Sequence, residues 1–182
     1  MLEIEFLEQN KKKLWYNTIE DNMKIENKKL NFEQINEIIT HIAKLISKNK
    51  EKSICIGLVG DLGTGKTTFA KKLLKDLGVC QPVKSPTFTF LIEYFTKDID
   101  IAHFDVYRIN NEESLYDIGY FDYIDAPGLI LIEWADLIKN SLPDNCLFFE
   151  IKHDSLNTRY ISIYTMKDGE KNYVDLYNYN FD

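Results

Sequence analysis

The sequence predicts an α/β domain with a ligand at the carboxyl ends of its strands. Three observations carry that expectation. A short apolar run, Ser53–Val59 (SICIGLV), is bounded by polar residues and reads as a buried strand. A glycine-rich loop, Gly60–Gly65, follows it directly. A helix then opens at Lys66 and runs to about Leu77, with Phe69, Ala70, Leu73, Leu74 and Leu77 on one face and Gly78 as its stop.

The remaining elements follow in chain order. Residues 1–30 are polar and rich in Lys and Asn, and they read as an N-terminal extension, either a strand or an attached tail. A single domain is expected over 31–182. Asn31 caps a helix, with Gln34 completing a partial capping box. Phe32, Ile35, Ile38, Ile39, Ile42, Ala43, Leu45 and Ile46 then recur at helical spacing to about Ser47. Phe88–Phe95 and Ile101–Tyr107 read as strands, and Glu112–Ile118 as a short helix. Leu129–Ile132 is a fully apolar strand ending at Glu133 and Trp134. Asn145–Ile151, Arg159–Thr165 and Lys171–Tyr177 read as a closing meander.

Composition narrows the function. The 182 residues carry a net charge of −7 and are 45% apolar. Lys residues are scattered, with short runs only at Lys11–Lys13 and Lys71–Lys72. An acidic chain of this kind argues against strong independent binding of nucleic acid, which needs basic residues to displace phosphate counterions. The three Cys, at 55, 80 and 146, fit no metal or redox spacing, so buried inert thiols in a reducing, cytoplasmic setting are expected. Met1–Asn17 contains no uninterrupted apolar segment, so neither a signal peptide nor a membrane span is expected. Arg108 and Arg159 are the only guanidiniums.

Gly60-Asp61-Leu62-Gly63-Thr64-Gly65-Lys66-Thr67 matches GxxxxGK(S/T) without a mismatch. Chance would supply such a match in roughly one chain in a hundred of this length. Glycines let backbone N–H groups turn toward phosphate oxygens, and the helix N-terminus adds its dipole. Lys66 neutralises the β- and γ-phosphates, and the Thr67 hydroxyl ligates Mg²⁺. Such a loop also needs an acid for the metal or its water. Glu133 ends the cleanest apolar strand, and Asp105 ends Ile101-Ala102-His103-Phe104-Asp105; a plain loop-facing charge is the alternative for either. Asp125-Ala126-Pro127-Gly128 imitates a GTPase DxxG, but it follows a half-polar segment and no NKxD occurs, so a turn is expected there and ATP is favoured over GTP.

Four segments occurring in order resemble the TsaE family of tRNA threonylcarbamoyladenosine synthesis. They are GDLGTGKTTFAKKLL at 60–74, VKSPTFTFLIEY at 83–94, HFDVYRI at 103–109, and LILIEWADLI at 129–138. The resemblance spans about residues 30 to 165. It implies a P-loop NTPase fold with a mostly parallel central sheet, flanking helices and a small antiparallel extension. It also implies ATP hydrolysis with Mg²⁺ in support of the proteins TsaB and TsaD, which modify the adenosine beside the anticodon of ANN-decoding tRNAs. The tRNA is then reached only through that complex.

Carried over by position, Lys66 and the loop 60–67 hold phosphate, and Thr68 is the next polar residue of the helix start. Thr67 and Glu133 serve the metal, and Asp105 is needed for hydrolysis. Ser85 and Thr87 belong to a switch-like loop near the γ-phosphate. Phe32 lies near the adenine-side segment, although the helix core also calls for it. Trp134 is divided between core and site. Arg108 is divided between a salt bridge and a functional contact. His103 reads as a hydrogen-bonded strand histidine. Residues 1 to about 25 and the aromatic tail from Lys167 depart from the family. Two rival readings are a small-molecule kinase and a nucleotide-gated binding module with incidental hydrolysis. The acidic, lysine-free stretch Asn110–Asp125 lacks the basic lid that phosphoryl transfer to a metabolite requires.

Overall fold

The computed structural model describes residues 24–109, 113–176 and 178–181. The expectations for Met1–Asn17, Glu112 and Tyr177 lie outside these residues. Among the described residues, eight strands form one sheet: β1 (Lys28–Asn31), β2 (Ser53–Val59), β3 (Leu91–Phe95), β4 (Asp100–Asp105), β5 (Gly128–Glu133), β6 (Leu147–His153), β7 (Thr158–Lys167) and β8 (Glu170–Tyr173). The spatial order is β1-β7-β6-β2-β5-β4-β3, with β8 also on β7. The central strands β6, β2, β5 and β4 run parallel, and antiparallel strands finish both sides. Placing β2 in the middle puts the glycine-rich loop at the carboxyl ends of the parallel strands, where ligands of such sheets bind.

Strand periodicity sorts the core onto two faces. On β2 and β5, Ile54, Ile56, Leu58, Leu129 and Leu131 face one side, with Cys55, Ile130 and Ile132 on the other. The first side is covered by helices α1 (Phe32–Lys48) and α2 (Lys66–Asp76). Asn31 caps α1 as expected: its side chain accepts from the Gln34 N–H at 2.9 Å, and Gln34 returns the bond at 2.9 Å. Thr40 of α1 donates to Asp76 of α2 at 2.7 Å, and Lys72 reaches both. The opposite face is closed by the short helix α3 (Glu113–Asp117) and two 3₁₀ segments, Tyr120–Asp122 and Ala135–Ser141.

One open alternative closes and two strand bounds change. Residues 1–30 read as either a strand or an attached tail; of them, residues 28–30 join Asn31 in the edge strand β1 on β7, and Ile25 and Leu30 are buried. Short polar KKLN carries no strand signal of its own; pairing with β7 makes it one. The strand expected from Phe88 begins only at Leu91, because the Thr89 and Phe90 N–H groups both turn back to the Pro86 carbonyl. The last strand ends at Tyr173, and Val174, Leu176 and Phe181 pack into the core beyond it. Of the thiols, Cys55 and Cys146 are buried as expected, but Cys80 is exposed. Burial also pushes the Cys146 thiol well above its ordinary pKa.

Asp125–Pro127 is a turn that feeds Gly128 into β5. Gly128 has φ 135°, and a Cβ there would lie 2.7 Å from the Asp100 carbonyl oxygen. Gly128→Ala is expected to destabilise the domain by about 2–4 kcal/mol. A calorimetric Tm lowered by roughly 5–10 °C is the check.

Candidate functional site

The loop between β2 and α2 is shaped by its glycines. Gly60 sits at φ 145°, and a Cβ there would come within 2.2 Å of the Ile151 carbonyl oxygen. Gly63 and Gly65 have φ 80° and 115°, with open space where their side chains would be. Gly65 starts α2 without a side-chain cap, so the loop's N–H groups and the helix dipole converge on that space. This is a cradle for an oxyanion. Thr64 is buried and braces the loop by donating its hydroxyl to the Asp61 carbonyl at 2.9 Å.

Lys66 is only 5% exposed. Its ammonium donates to the Gly60 and Asp61 carbonyls at 2.5 and 2.9 Å, and lies 3.5 Å from the centroid of the Trp134 ring. Burial lowers its pKa, against the opposing pull of Glu133, Asp136, Asp105 and Asp61. Trp134 is therefore a site residue: half-buried, with φ 65°, and forming one wall of the lysine's seat by cation–π contact.

The acids arrive by strand arithmetic. Along β4, Ile101, His103 and Asp105 share a face; along β5, Leu129, Leu131 and Glu133 do the same. The parallel register sets Asp105 beside Glu133 and His103 beside Leu131. All three polar side chains therefore point to the face on which α2 begins. Glu133 accepts from the Thr67 hydroxyl at 2.7 Å on one oxygen, and its other oxygen meets His103 Nε2 at 3.0 Å. Asp105 accepts from Thr87 at 2.6 Å, from Ser85 at 3.4 Å and from the Tyr107 N–H at 3.0 Å. Ser85 and Thr87 are themselves 2.7 Å apart. Arg108 donates to the Thr87 carbonyl, with its guanidinium 5.4 and 4.9 Å from the Phe88 and Phe90 ring centroids.

A cleft of about 320 Å³ gathers Gly63, Gly65, Lys66, Thr67, Thr68, Thr87, Asp105 and Glu133, together with Tyr107 and Trp134. Ser85 stands behind it through Asp105, and Leu62 is 88% exposed at the loop tip. The paired Thr67 and Glu133 oxygens suit Mg²⁺, a hard cation that keeps several waters and is completed by substrate phosphates. The described residues hold no cluster of three or more His, Cys, Asp or Glu side chains that would cage a metal unaided.

Across the loop lies a second groove of about 170 Å³, lined by Phe32, Ile35, Ile39, Thr68, Phe69 and Arg159 among others. Phe32 is 45% exposed, so it serves this groove rather than the core. Arg159 lies 5.2 Å from its ring centroid and donates through Nε to the Thr64 carbonyl at 2.8 Å. Sequence spacing gave no signal for that pairing, since its two halves come from α1 and β7.

A parallel sheet with this loop at its centre, a seated lysine, and a threonine–glutamate pair beside it define a protein of the P-loop class. The family model described as threonylcarbamoyl adenosine biosynthesis protein TsaE matches residues 31–161. This chain belongs to the TsaE family. Among its relatives is the tRNA threonylcarbamoyladenosine biosynthesis protein TsaE of Bacillus subtilis, 40% identical over 66% of this chain and 75% of the relative. The Haemophilus influenzae protein of the same name is 34% identical over 74% and 84%. The crystal structure of Bacillus subtilis YdiB superposes with TM-score 0.58 and 31% identity, covering 75% of this chain and 84% of that one. No helix among the described residues is long and apolar enough to cross a membrane.

Proposed function

We propose that this chain binds and hydrolyses ATP with Mg²⁺ in the cytoplasm, and that the cycle supports TsaB and TsaD in forming N6-threonylcarbamoyladenosine beside the anticodon of ANN-decoding tRNAs. The observation that carries the reading is the convergence of Lys66, the Thr67–Glu133 pair and Asp105 on one glycine-walled cleft. Phosphates bind the N–H cradle of Gly63–Thr68 and draw the Lys66 ammonium from the loop carbonyls it now holds. That exchange offsets the desolvation Lys66 already bears. Thr67 and Glu133 are the residues that would hold Mg²⁺, and that ion would supply neutralisation of charge on the phosphate oxygens. Asp105 orients the attacking water, and Thr87 is the hydroxyl that leaves or stays with it according to whether a γ-phosphate is present.

The apolar groove beside Phe32 and Arg159 takes the adenine ring, by stacking and by contact with Ile35 and Ile39. Phe32→Ala is expected to weaken ATP about 5- to 20-fold, the loss of one stacked aromatic. Hydrolysis of bound ATP should stay within about twofold of the unaltered chain in single-turnover kinetics.

The reading as a whole is tested by reconstitution. The chain is mixed with TsaB, TsaD, substrate tRNA, an activated threonylcarbamoyl donor and ATP, and modified adenosine is counted per complex. Multiple turnovers that depend on this chain are expected. Turnover unchanged by leaving it out would sink the reading.

A further inference from the structure

We propose that His103 is the positioning residue for Glu133, and that it sets the metal requirement of the site without touching nucleotide. The inference rests on the ATP–Mg²⁺ reading above. His103 is 0% exposed and Glu133 2% exposed, so no water competes for their contact. A carboxylate only accepts, so the proton they share at 3.0 Å belongs to His103 Nε2. The same carboxylate takes the Thr67 hydroxyl on its other oxygen at 2.7 Å. The two contacts fix the carboxylate from opposite ends and turn its remaining lone pairs toward the cleft.

The other ring nitrogen supports this assignment. Nδ1 of His103 is buried without a hydrogen-bond partner among the described residues. A buried ring nitrogen without a partner calls for an explanation, and the bond that the opposite nitrogen makes to Glu133 supplies one. The ring is held from behind by Tyr94, whose centroid lies 6.4 Å away and whose own side chain is buried. The register that sets His103 beside Leu131 makes Glu133 its diagonal neighbour, within reach of Nε2 and out of reach of Nδ1. Residues that orient a metal ligand in this way commonly govern metal affinity by 10- to 100-fold.

The test compares three variants: His103→Leu, which removes the donor; His103→Gln, whose amide nitrogen reaches the position of Nε2; and His103→Asn, whose amide is too short to reach it. Binding of a fluorescent non-hydrolysable ATP analogue is titrated against MgCl₂ and repeated in EDTA. Thermal melting runs alongside. His103→Leu and His103→Asn are expected to raise the Mg²⁺ needed for half-maximal binding about 10-fold or more, and to slow ATP turnover by a similar factor. In EDTA their affinity for the analogue should match the unaltered chain within about twofold. His103→Gln is expected to recover most of the loss. Should His103→Leu fail to fold, the Gln and Asn pair still decides the matter, because both are polar and differ in reach. An unshifted Mg²⁺ requirement in folded His103→Asn overturns the assignment, as does a His103→Gln defect equal to that of His103→Asn. If the unaltered chain itself binds the analogue without regard to Mg²⁺, the ATP–Mg²⁺ reading fails instead.

Discussion

Lys66→Ala is expected to lower ATP affinity at least about 100-fold, a loss near 3 kcal/mol. The size follows from the charges around the cleft. Among the described residues Lys66 is the one cation lining it, against Asp105 and Glu133, with Asp61 and Asp136 close enough to act on the lysine. Without the ammonium, a triphosphate meets carboxylates and loses a desolvated, charge-assisted contact together. Stability of the empty protein should move the other way or not at all. Burial lowers the folded-state pKa of Lys66, so the charged lysine costs stability at neutral pH; the cost begins to fall as pH rises through that lowered value and is gone only above the ordinary lysine range of the unfolded chain. The checks are loss of the ATP-induced rise in Tm, an unlowered Tm without nucleotide, and loss of turnover in the reconstituted tRNA reaction. A variant that keeps its ATP-induced Tm rise would contradict the phosphate-binding role.

The parts of the site that could be read from sequence are those whose physics is local. Asn31 and Gln34 sit one helical turn apart, and the capping box forms as written. The loop 60–67 needs only its own glycines and the helix it opens. Leu129–Ile132 is apolar at every position because both sides of β5 are covered, and the acid at its end falls on the cleft. The parts that stayed hidden depend on partners distant in the chain. Phe88–Phe90 looks like the start of a strand, but the segment is bent by the Pro86 carbonyl and tied through Thr87 to Asp105 and Arg108. The link between His103 and Glu133 needs the β4–β5 register, which alternation within either strand does not supply. Alternation did contain half of it: His103 lies two residues before Asp105 and so must share its face. Helical spacing assigns Phe32 to the core as readily as the family resemblance assigns it to the adenine-side segment, and its 45% exposure beside Arg159 of β7 places it in the groove.

Asp105→Asn is expected to separate binding from hydrolysis. Asparagine keeps the size of the side chain and can still accept from the Tyr107 N–H, now at 3.0 Å from one carboxylate oxygen. The oxygen that takes Thr87 at 2.6 Å is the one whose replacement by an amide matters. A carboxylate there only accepts, so it can hold a water with its lone pair aimed away from the acid and toward phosphorus. An amide nitrogen donates instead and turns that water around. The chemical step should slow by about 100- to 1,000-fold, while ATP affinity changes by less than about threefold. Single-turnover hydrolysis and analogue binding measure the two separately. The same variant decides between a coupled ATPase and a nucleotide-gated binding module. If hydrolysis resets the assembly, Asp105→Asn in the reconstituted reaction should load with ATP, allow at most about one round of modification per complex, and stop. If binding alone is the signal, the variant should sustain modification at the rate of the unaltered chain. Thr87 gives the first outcome its physical basis: its hydroxyl is bound to the acid that handles the water, and its carbonyl is bound to Arg108 beside the 84%-exposed Phe88. On that reading, loss of the γ-phosphate would reach the surface through this one residue, and a side chain that cannot complete the reaction would not send that change.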